Sequence, residues 1–144
     1  MDNNLIAKAS IRINAPVARV WEALVTPEMI KQYMFGTNVV TEWEEGGPIV
    51  WQGEWQGKAY EDKGTILKIE PEQTLQYSHF SPLSGRPDVP ENYHTVTIEL
   101  SGEEGQTTVT LTQDKNESEE ARQHSEENWQ MMLESLKKLL ENQN

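Results

Sequence analysis

Apolar residues near the end of the chain recur at the spacing that lines up one face of a helix. Between residues 116 and 141 they follow the i, i+3, i+4, i+7 pattern. The apolar positions are Ala121, Trp129, Met132, Leu133, Leu136 and Leu140. Asn116, with Glu119 three residues later, resembles a capping box at the start of such a helix. The pattern predicts an amphipathic helix about 36 Å long from Ser118 to Glu141, at roughly 1.5 Å per residue. A helix of this length can lie across a curved sheet and leave a hollow between the two.

Apolar and polar residues alternate in seven earlier segments, and this alternation predicts strands. The segments are residues 5–13, 39–43, 49–55, 59–69, 74–80, 93–101 and 107–113. Pro16 and Pro27 each open a short helical pattern, because proline suits the first turn of a helix. Turn sequences at residues 45–48 and 102–105 join neighbouring strands. We therefore expect an α+β fold, with two short helices after the first strand, an antiparallel sheet, and helices on one side of it.

One connection is longer than the usual hairpin loop. Residues 81–92 contain three prolines, Pro82, Pro87 and Pro90, together with Gly85, and so many breakers argue against a strand. Loops of about a dozen residues often have a function such as covering a binding site. A tolerated surface insertion explains the same sequence equally well, and both interpretations stay open.

Composition and charge narrow the class of protein. The chain has 144 residues, which is typical of one domain spanning residues 1–144. Its net charge of −12 argues against a nucleic-acid or anionic-membrane partner, since both would repel it. The absence of cysteine excludes disulfides and thiolate chemistry. No apolar run reaches the roughly 20 residues of a membrane span, and the first residues do not resemble a signal peptide. We expect a soluble cytoplasmic protein.

Several segments resemble the START-like helix-grip (SRPBCC) superfamily, and most closely its branch of homologues of the activator of the heat-shock-protein-90 ATPase. These segments are residues 13–16, 20–24, 26–28, 64–71, 106–112 and 128–137, in the order expected for that branch. The resemblance implies a curved seven-stranded antiparallel sheet that grips the C-terminal helix, with an apolar cavity between them. Members of the superfamily bind lipids, sterols, plant hormones and polyketides, and some catalyse cyclisation or hydrolysis. The resembling motifs are structural, so they assign no catalytic residue to this chain.

Alternation also indicates which side chains face the helix. Every second residue of a strand points to the same side of the sheet. The candidate ligand-binding residues are therefore Tyr77, His79, His94 and Val96 on the strands and Trp129, Met132 and Leu133 on the helix. Largely apolar walls with a few hydrogen-bonding groups are typical of a small-molecule site. Further polar candidates are His124, Ser125 and Asn128, which lie on the helical turns before Trp129.

Metal, cofactor and nucleophile motifs are missing from the sequence. The three histidines do not have metal-ligand spacing, so we expect no metal site and no cofactor. The sequence has neither a nucleophile elbow nor a phosphate-binding glycine loop. The favoured hypothesis is binding of a small apolar or aromatic molecule. Two alternatives stay open: a cyclase- or hydrolase-like enzyme that uses Tyr77, His79 or His94 as acid or base, and a co-chaperone-like module with a protein partner.

Overall fold

The computed structural model describes residues 5–34, 36–55, 57–81, 85 and 87–141. Its elements follow the predicted order. They are β1 (Leu5–Ile13), α1 (Val17–Val25), α2 (Pro27–Tyr33), β2 (Asn38–Thr41), β3 (Pro48–Trp55), β4 (Lys58–Glu70), β5 (Thr74–His79), β6 (His94–Glu103), β7 (Gln106–Asn116) and α3 (Glu119–Glu141), with a short 3-10 turn at Pro90–Asn92 before β6. None of the helices in the described ranges is long and apolar enough to cross a membrane.

The seven strands form a single antiparallel sheet in the order β1-β7-β6-β5-β4-β3-β2. The predicted α+β class and the predicted number of strands are therefore confirmed. The turn between β6 and β7 is tighter than predicted, because Glu103 already pairs with Gln106. Glu104 and Gly105 alone form the turn, with φ of 51° and 81°. Two residues with positive φ match the twist of a hairpin, which lets both strands extend further.

The apolar stripe of α3 lies on the concave face of this sheet. Leu133 and Leu136 are fully buried, and Leu140 is 3% exposed. The strand side chains that meet this core belong to the predicted inward faces. They include Leu75, Tyr77, Val96, Ile98, Val109 and Leu111, all buried. Helices α1 and α2 add Val20, Leu24 and Ile30 to the same core.

Side chains of α3 also cover the outer edge of β1, which is an edge strand. Four of them bond to the backbone of every second residue from 8 to 14. Glu126 accepts from the Lys8 amide, Gln130 donates to the Ser10 carbonyl, Lys137 donates to the Arg12 carbonyl and Glu141 accepts from the Asn14 amide. An uncovered edge would offer these groups to another chain. The helix therefore runs parallel to β1, and its side chains form hydrogen bonds with backbone groups of the edge that are not paired with another strand.

The start of α3 differs from the predicted capping box. Ser118, and not Asn116, caps the helix, because its hydroxyl accepts a hydrogen bond from the Ala121 amide at 3.1 Å. Asn116 is instead the last residue of β7. Its side-chain amide donates to the carbonyls of Leu5 and Gln113, which ties the end of β7 to the start of β1.

Local backbone conformation explains two further boundary differences. Strand β2 ends at Thr41, two residues before the predicted end, because Trp43 has a φ of 56° that no regular strand accommodates. Strand β7 continues to Asn116 beyond an irregularity near Lys115, which also has a φ of 56°. A single residue with positive φ interrupts the alternation of side chains between the two faces of a strand. The sequence pattern is therefore lost at that residue, although β7 pairs with β1 again beyond it.

The long connection between β5 and β6 is only partly described, and Pro82 lies outside the described residues. Its last part is held by local bonds, with the Asn92 side chain donating to the Pro87 carbonyl at 2.8 Å. Tyr93 stacks on Phe80 with ring centroids 5.1 Å apart. The end of this connection is therefore packed against the strand that precedes it.

Candidate ligand-binding cavity

A cavity of about 640 Å³ lies beneath the N-terminal half of α3. Its lining side chains come from α3, β7, β4, the end of β3 and the segment after α2. They are Met34, Thr37, Glu54, Tyr60, Gln113, Ser125, Asn128, Trp129, Met131 and Met132. Three methionines, a tyrosine and a tryptophan thus share the wall with a few polar groups, which is the usual composition of a small-molecule site.

Two smaller cavities adjoin this one. The first, of about 160 Å³, shares Met34, Thr37, Tyr60 and Trp129 with it and adds Trp51, Asp62, Tyr77 and His79. The second, of about 280 Å³, shares Gln113, Ser125 and Trp129 and reaches His79 and His94. Trp129 lines all three cavities, so we treat them together and call them the cleft.

Trp129 is held in position by a hydrogen bond to the sheet. Its indole N–H donates to Oε1 of Gln113 at 2.6 Å. Gln113 faces inward because it pairs in register with Val96, a buried residue of β6. One turn earlier on the helix, the Ser125 hydroxyl donates to Oδ1 of Asn116 at 2.9 Å. Polar bonds to β7 therefore attach this half of α3 to the sheet.

An aspartate–histidine pair lies in the 160 Å³ part of the cleft. His79 Nε2 is 2.9 Å from Oδ2 of Asp62, and the two side chains are 29% and 16% exposed. Because a carboxylate only accepts hydrogen bonds, Nε2 carries the proton. Trp51 packs against this pair, with its ring centroid 4.9 Å from that of His79. The histidine is thus fixed by a hydrogen bond on one side and an aromatic ring on another.

The second oxygen of Asp62 is buried and has no hydrogen-bond partner among the described residues. A buried acceptor left unsatisfied destabilises a fold by about 1–3 kcal/mol, and more when it is charged. Native proteins keep few such groups, and each calls for an explanation such as strain, a catalytic role, or a bound water or ion.

Two glycines allow the side chains of the cleft to approach one another. A Cβ at Gly53 would lie 2.4 Å from the Tyr60 hydroxyl, so only glycine leaves room for that ring. Tyr60 can then reach Thr37, and the two hydroxyls share a hydrogen bond of 2.9 Å. A Cβ at Gly64 would lie 1.7 Å from the Ser78 carbonyl oxygen, so glycine also permits the close approach of β4 and β5 beside His79.

Of the residues predicted from sequence, His79, His94, Tyr77, Trp129 and Met132 line the cleft or the small gap of about 30 Å³ beside it. His94 pairs directly with His79 across β5 and β6, so the two strands that flank the long loop bring these histidines together. Its Nδ1 donates to the Asp114 carbonyl at 2.8 Å, which fixes the ring. Burial raises the pKa of the Tyr77 hydroxyl above its usual value, so Tyr77 stays neutral.

Val96 and Leu133 occupy different surroundings. They are 1% and 0% exposed and belong to the hydrophobic core. Neither lines the cleft or the small gap beside it. Of the additional polar candidates on α3, Ser125 and Asn128 line the cleft, whereas His124 is exposed to solvent.

The sequence prediction missed Asp62, Tyr60, Thr37, Met34 and Gln113. The alternation of β4 contained a signal, because Tyr60 and Asp62 share the side of the strand that ends in buried Ile66. Across the described part of the chain, no group of three or more carboxylate or histidine side chains is arranged to hold a metal ion. The Asp62–His79 pair is a hydrogen-bonded pair beside the ring of Trp51.

A curved antiparallel sheet wrapped around a C-terminal helix, with a cleft between them, defines the START-like helix-grip class. The chain belongs to the family described as Activator of Hsp90 ATPase homolog 1-like protein, whose model matches residues 14–141. A comparison with curated proteins gave no significant match.

Solved structures show the same architecture. The solution structure of ChR145 from Cytophaga hutchinsonii is 62% identical, with a TM-score of 0.87 over 99% of this chain and 97% of that one. The solution structure of the Aha1 dimer from Colwellia psychrerythraea is 22% identical, with a TM-score of 0.74 over 95% and 96% of the two chains. CalU16 from Micromonospora echinospora is 23% identical, with a TM-score of 0.74 over 99% and 87%. The last two likenesses establish the fold alone.

Proposed function

We propose that the protein binds a small, mainly apolar or aromatic molecule in the cleft under the N-terminal half of α3. The observation that supports this most strongly is the cavity of about 640 Å³ walled by Met34, Trp129 and Met132. Ligand sites of proteins usually measure about 300–1,000 Å³ and are lined mainly by apolar side chains. The predicted ligand-binding residues His79, His94 and Tyr77 line the two smaller cavities that adjoin it.

The composition of the wall favours a ligand held by burial. Removing apolar surface from water contributes about 25 cal/mol per Å². Methionine side chains adapt to ligands of different shape, because they are unbranched and polarizable. Buried area alone does not ensure tight binding, so modest affinity is expected for a molecule that lacks polar anchors.

Fluorescence titration with N-phenyl-1-naphthylamine tests the proposal. This neutral aromatic probe becomes brighter in apolar surroundings. We expect saturable binding to the wild-type protein. Met132→Trp should weaken it at least about tenfold, since the larger ring fills space that the probe needs. Leu67→Trp is the matched control, because Leu67 is 44% exposed on β4 and lines none of the described cavities.

Two results would contradict the proposal. One is the lack of any saturable signal with the wild-type protein. The other is equal affinity for wild type and Met132→Trp, which would locate the probe elsewhere. A loss of binding in Leu67→Trp as well would show that the signal reports a general surface effect.

A cyclase- or hydrolase-like activity is a second candidate, and the Asp62–His79 bond of 2.9 Å is the observation that favours it. A histidine oriented by a carboxylate can act as a general base when it reaches a substrate proton. Buried Tyr77 suits this role less, because burial opposes its ionisation. Mass spectrometry of a bound molecule before and after incubation distinguishes turnover from binding, and His79→Gln should abolish any turnover.

A further inference from the structure

We propose that the ligand carries a cationic nitrogen group on its apolar body, and that Asp62 and the aromatic side chains around it bind this group. The inference rests on the proposed function and specifies the chemistry of its ligand. The site is the 160 Å³ part of the cleft, which Met34 and Thr37 connect to the larger cavity. A head group would enter the small part while the apolar body occupies the large one.

The charge of the site is the first argument. Asp62 brings a carboxylate into the site, and its partner His79 is charged only when it is protonated. Among the residues that the structure describes, no lysine or arginine lines this part of the cleft. Lys63, the next residue along β4, is ion-paired with Asp88 instead. The described wall thus contains a carboxylate with no lysine or arginine beside it.

The unpartnered oxygen is the second argument. Oδ2 of Asp62 accepts from His79, whereas Oδ1 is buried and lacks a partner among the described residues. An ionised oxygen in this position needs a donor, because burial removes the water that would otherwise solvate it. A protonated amine supplies both the donor and the opposite charge, while a hydroxyl supplies only the donor.

The aromatic wall is the third argument. Four aromatic side chains line the small cavity together with Asp62. They are Trp51, Tyr60, Tyr77 and Trp129. Tryptophan and tyrosine rings attract ammonium groups through their π electrons, most strongly when water is excluded. The combination of aromatic rings with one carboxylate favours a cation over a neutral polar group, and the net charge of −12 attracts cations from a distance.

Three naphthalene probes of nearly equal size test the proposal: 1-naphthylmethylamine, 1-naphthalenemethanol and 1-naphthoic acid. At neutral pH they are a cation, a neutral alcohol and an anion. Calorimetric titration of the wild-type protein should give at least about tenfold tighter binding for the amine than for the alcohol, as expected for a desolvated charge pair. The acid should bind weakest.

Asp62→Asn removes the charge and keeps the shape of the side chain. It should lower the affinity for the amine about tenfold, to the level of the alcohol, and change alcohol binding little. Glu61→Gln is the matched control, because Glu61 is exposed on the opposite side of β4 and the change in net charge is the same. It should leave the affinity for the amine within about twofold, since an exposed charge is screened.

The outcomes separate the two proposals. Equal binding of amine and alcohol by the wild-type protein overturns the cation proposal and leaves the proposed function standing. A preference for the amine that Asp62→Asn does not reduce overturns the assignment to Asp62. If none of the three probes binds, the proposed function itself fails. The wild-type comparison needs no variant, so a folding defect in Asp62→Asn does not prevent a decision.

Discussion

The two halves of α3 lie on one sheet but meet it in different ways. In the C-terminal half, Leu133, Leu136 and Leu140 are buried in a closely packed core. In the N-terminal half, Trp129 and Ser125 stand over the cleft and reach β7 through hydrogen bonds to Gln113 and Asn116. The C-terminal half is attached by packing of apolar side chains, whereas the N-terminal half is attached by hydrogen bonds that cross the cleft.

The difference comes from the sheet as much as from the helix. Toward its start, β7 presents the buried apolar side chains Val109 and Leu111 to the core. Toward its end it presents Gln113 and Asn116, which bond to α3 without filling the gap. A change from apolar to amide side chains along one strand face thus divides a single helix–sheet interface into a core and a cleft. We expect substitutions in the two halves to affect different properties, namely stability and ligand affinity.

The largest effect is expected in the core half. Leu136→Ala should lower the free energy of unfolding by about 2–5 kcal/mol, because it leaves a cavity where Leu136 is fully buried. Urea unfolding followed by circular dichroism measures this change. Met131→Ala is the control on the same helix, since Met131 is 55% exposed and should change stability by no more than about 0.5 kcal/mol. A loss below about 1 kcal/mol for Leu136→Ala would mean that this half is packed more loosely than described.

A pair of neighbours sharpens the comparison. Leu133→Trp should destabilise the protein by about 1–3 kcal/mol, because the site is a filled core. Met132→Trp should cost less than Leu133→Trp, since its side chain borders the open cavity. Thermal unfolding of both variants measures the difference. Equal destabilisation would show that the space beside Met132 cannot accept a larger side chain, and the cleft would then be too rigid for the proposed function.

The fold was predictable where a pattern persisted over many residues. The stripe on α3 and the alternation of β1, β5 and β6 continued long enough to define the buried faces. The predicted ends of strands were wrong where one residue has a backbone conformation outside the strand region, as Trp43 does with its φ of 56°. The capping prediction failed because Asn116 and Ser118 are both good caps by residue type, and only the actual bond to Ala121 identifies Ser118.

The site was only partly predictable, for two physical reasons. Alternation identifies the side of the sheet but not the position along it, so Val96 and Leu133 were grouped with the cleft although they lie in the core. Asp62 stands in the charged run Glu61-Asp62-Lys63, which is typical of a solvated strand. Its bond to His79 depends on the approach of β4 and β5 at Gly64. A lone glycine in a strand indicates a close approach of backbones but does not identify the partner strand.

A smaller effect is expected from the polar attachment of Trp129. Trp129→Phe removes the indole N–H that donates to Gln113 and should lower the free energy of unfolding by about 0.5–1.5 kcal/mol. The double variant with Gln113→Leu should be less destabilised than the sum of the two single variants, because the bond can be lost only once. Additive effects in this cycle would indicate that the two side chains do not interact, and that this hydrogen bond does not help to attach the helix to β7.

The smallest effect concerns the last residue of α3 and depends on pH. The Asn14 amide donates to the Glu141 carboxylate at 2.8 Å, and Lys137 lies 2.9 Å from the same oxygen. The hydrogen bond from Asn14 and, after it, that from Lys137 lower the pKa of Glu141 below its ordinary value of 4.5. A carboxylate with a lower pKa in the folded state stabilises the fold above its ordinary pKa, and the contribution disappears as the pH falls through the folded value.

Glu141→Gln should therefore be slightly less stable than wild type at pH 7, with a difference that shrinks below pH 4.5. Urea unfolding at several pH values measures this, with Glu134→Gln as the control on the exposed side of the same helix. A difference that stays constant with pH would show that the charge of Glu141 does not help to hold the core half of α3 against β1.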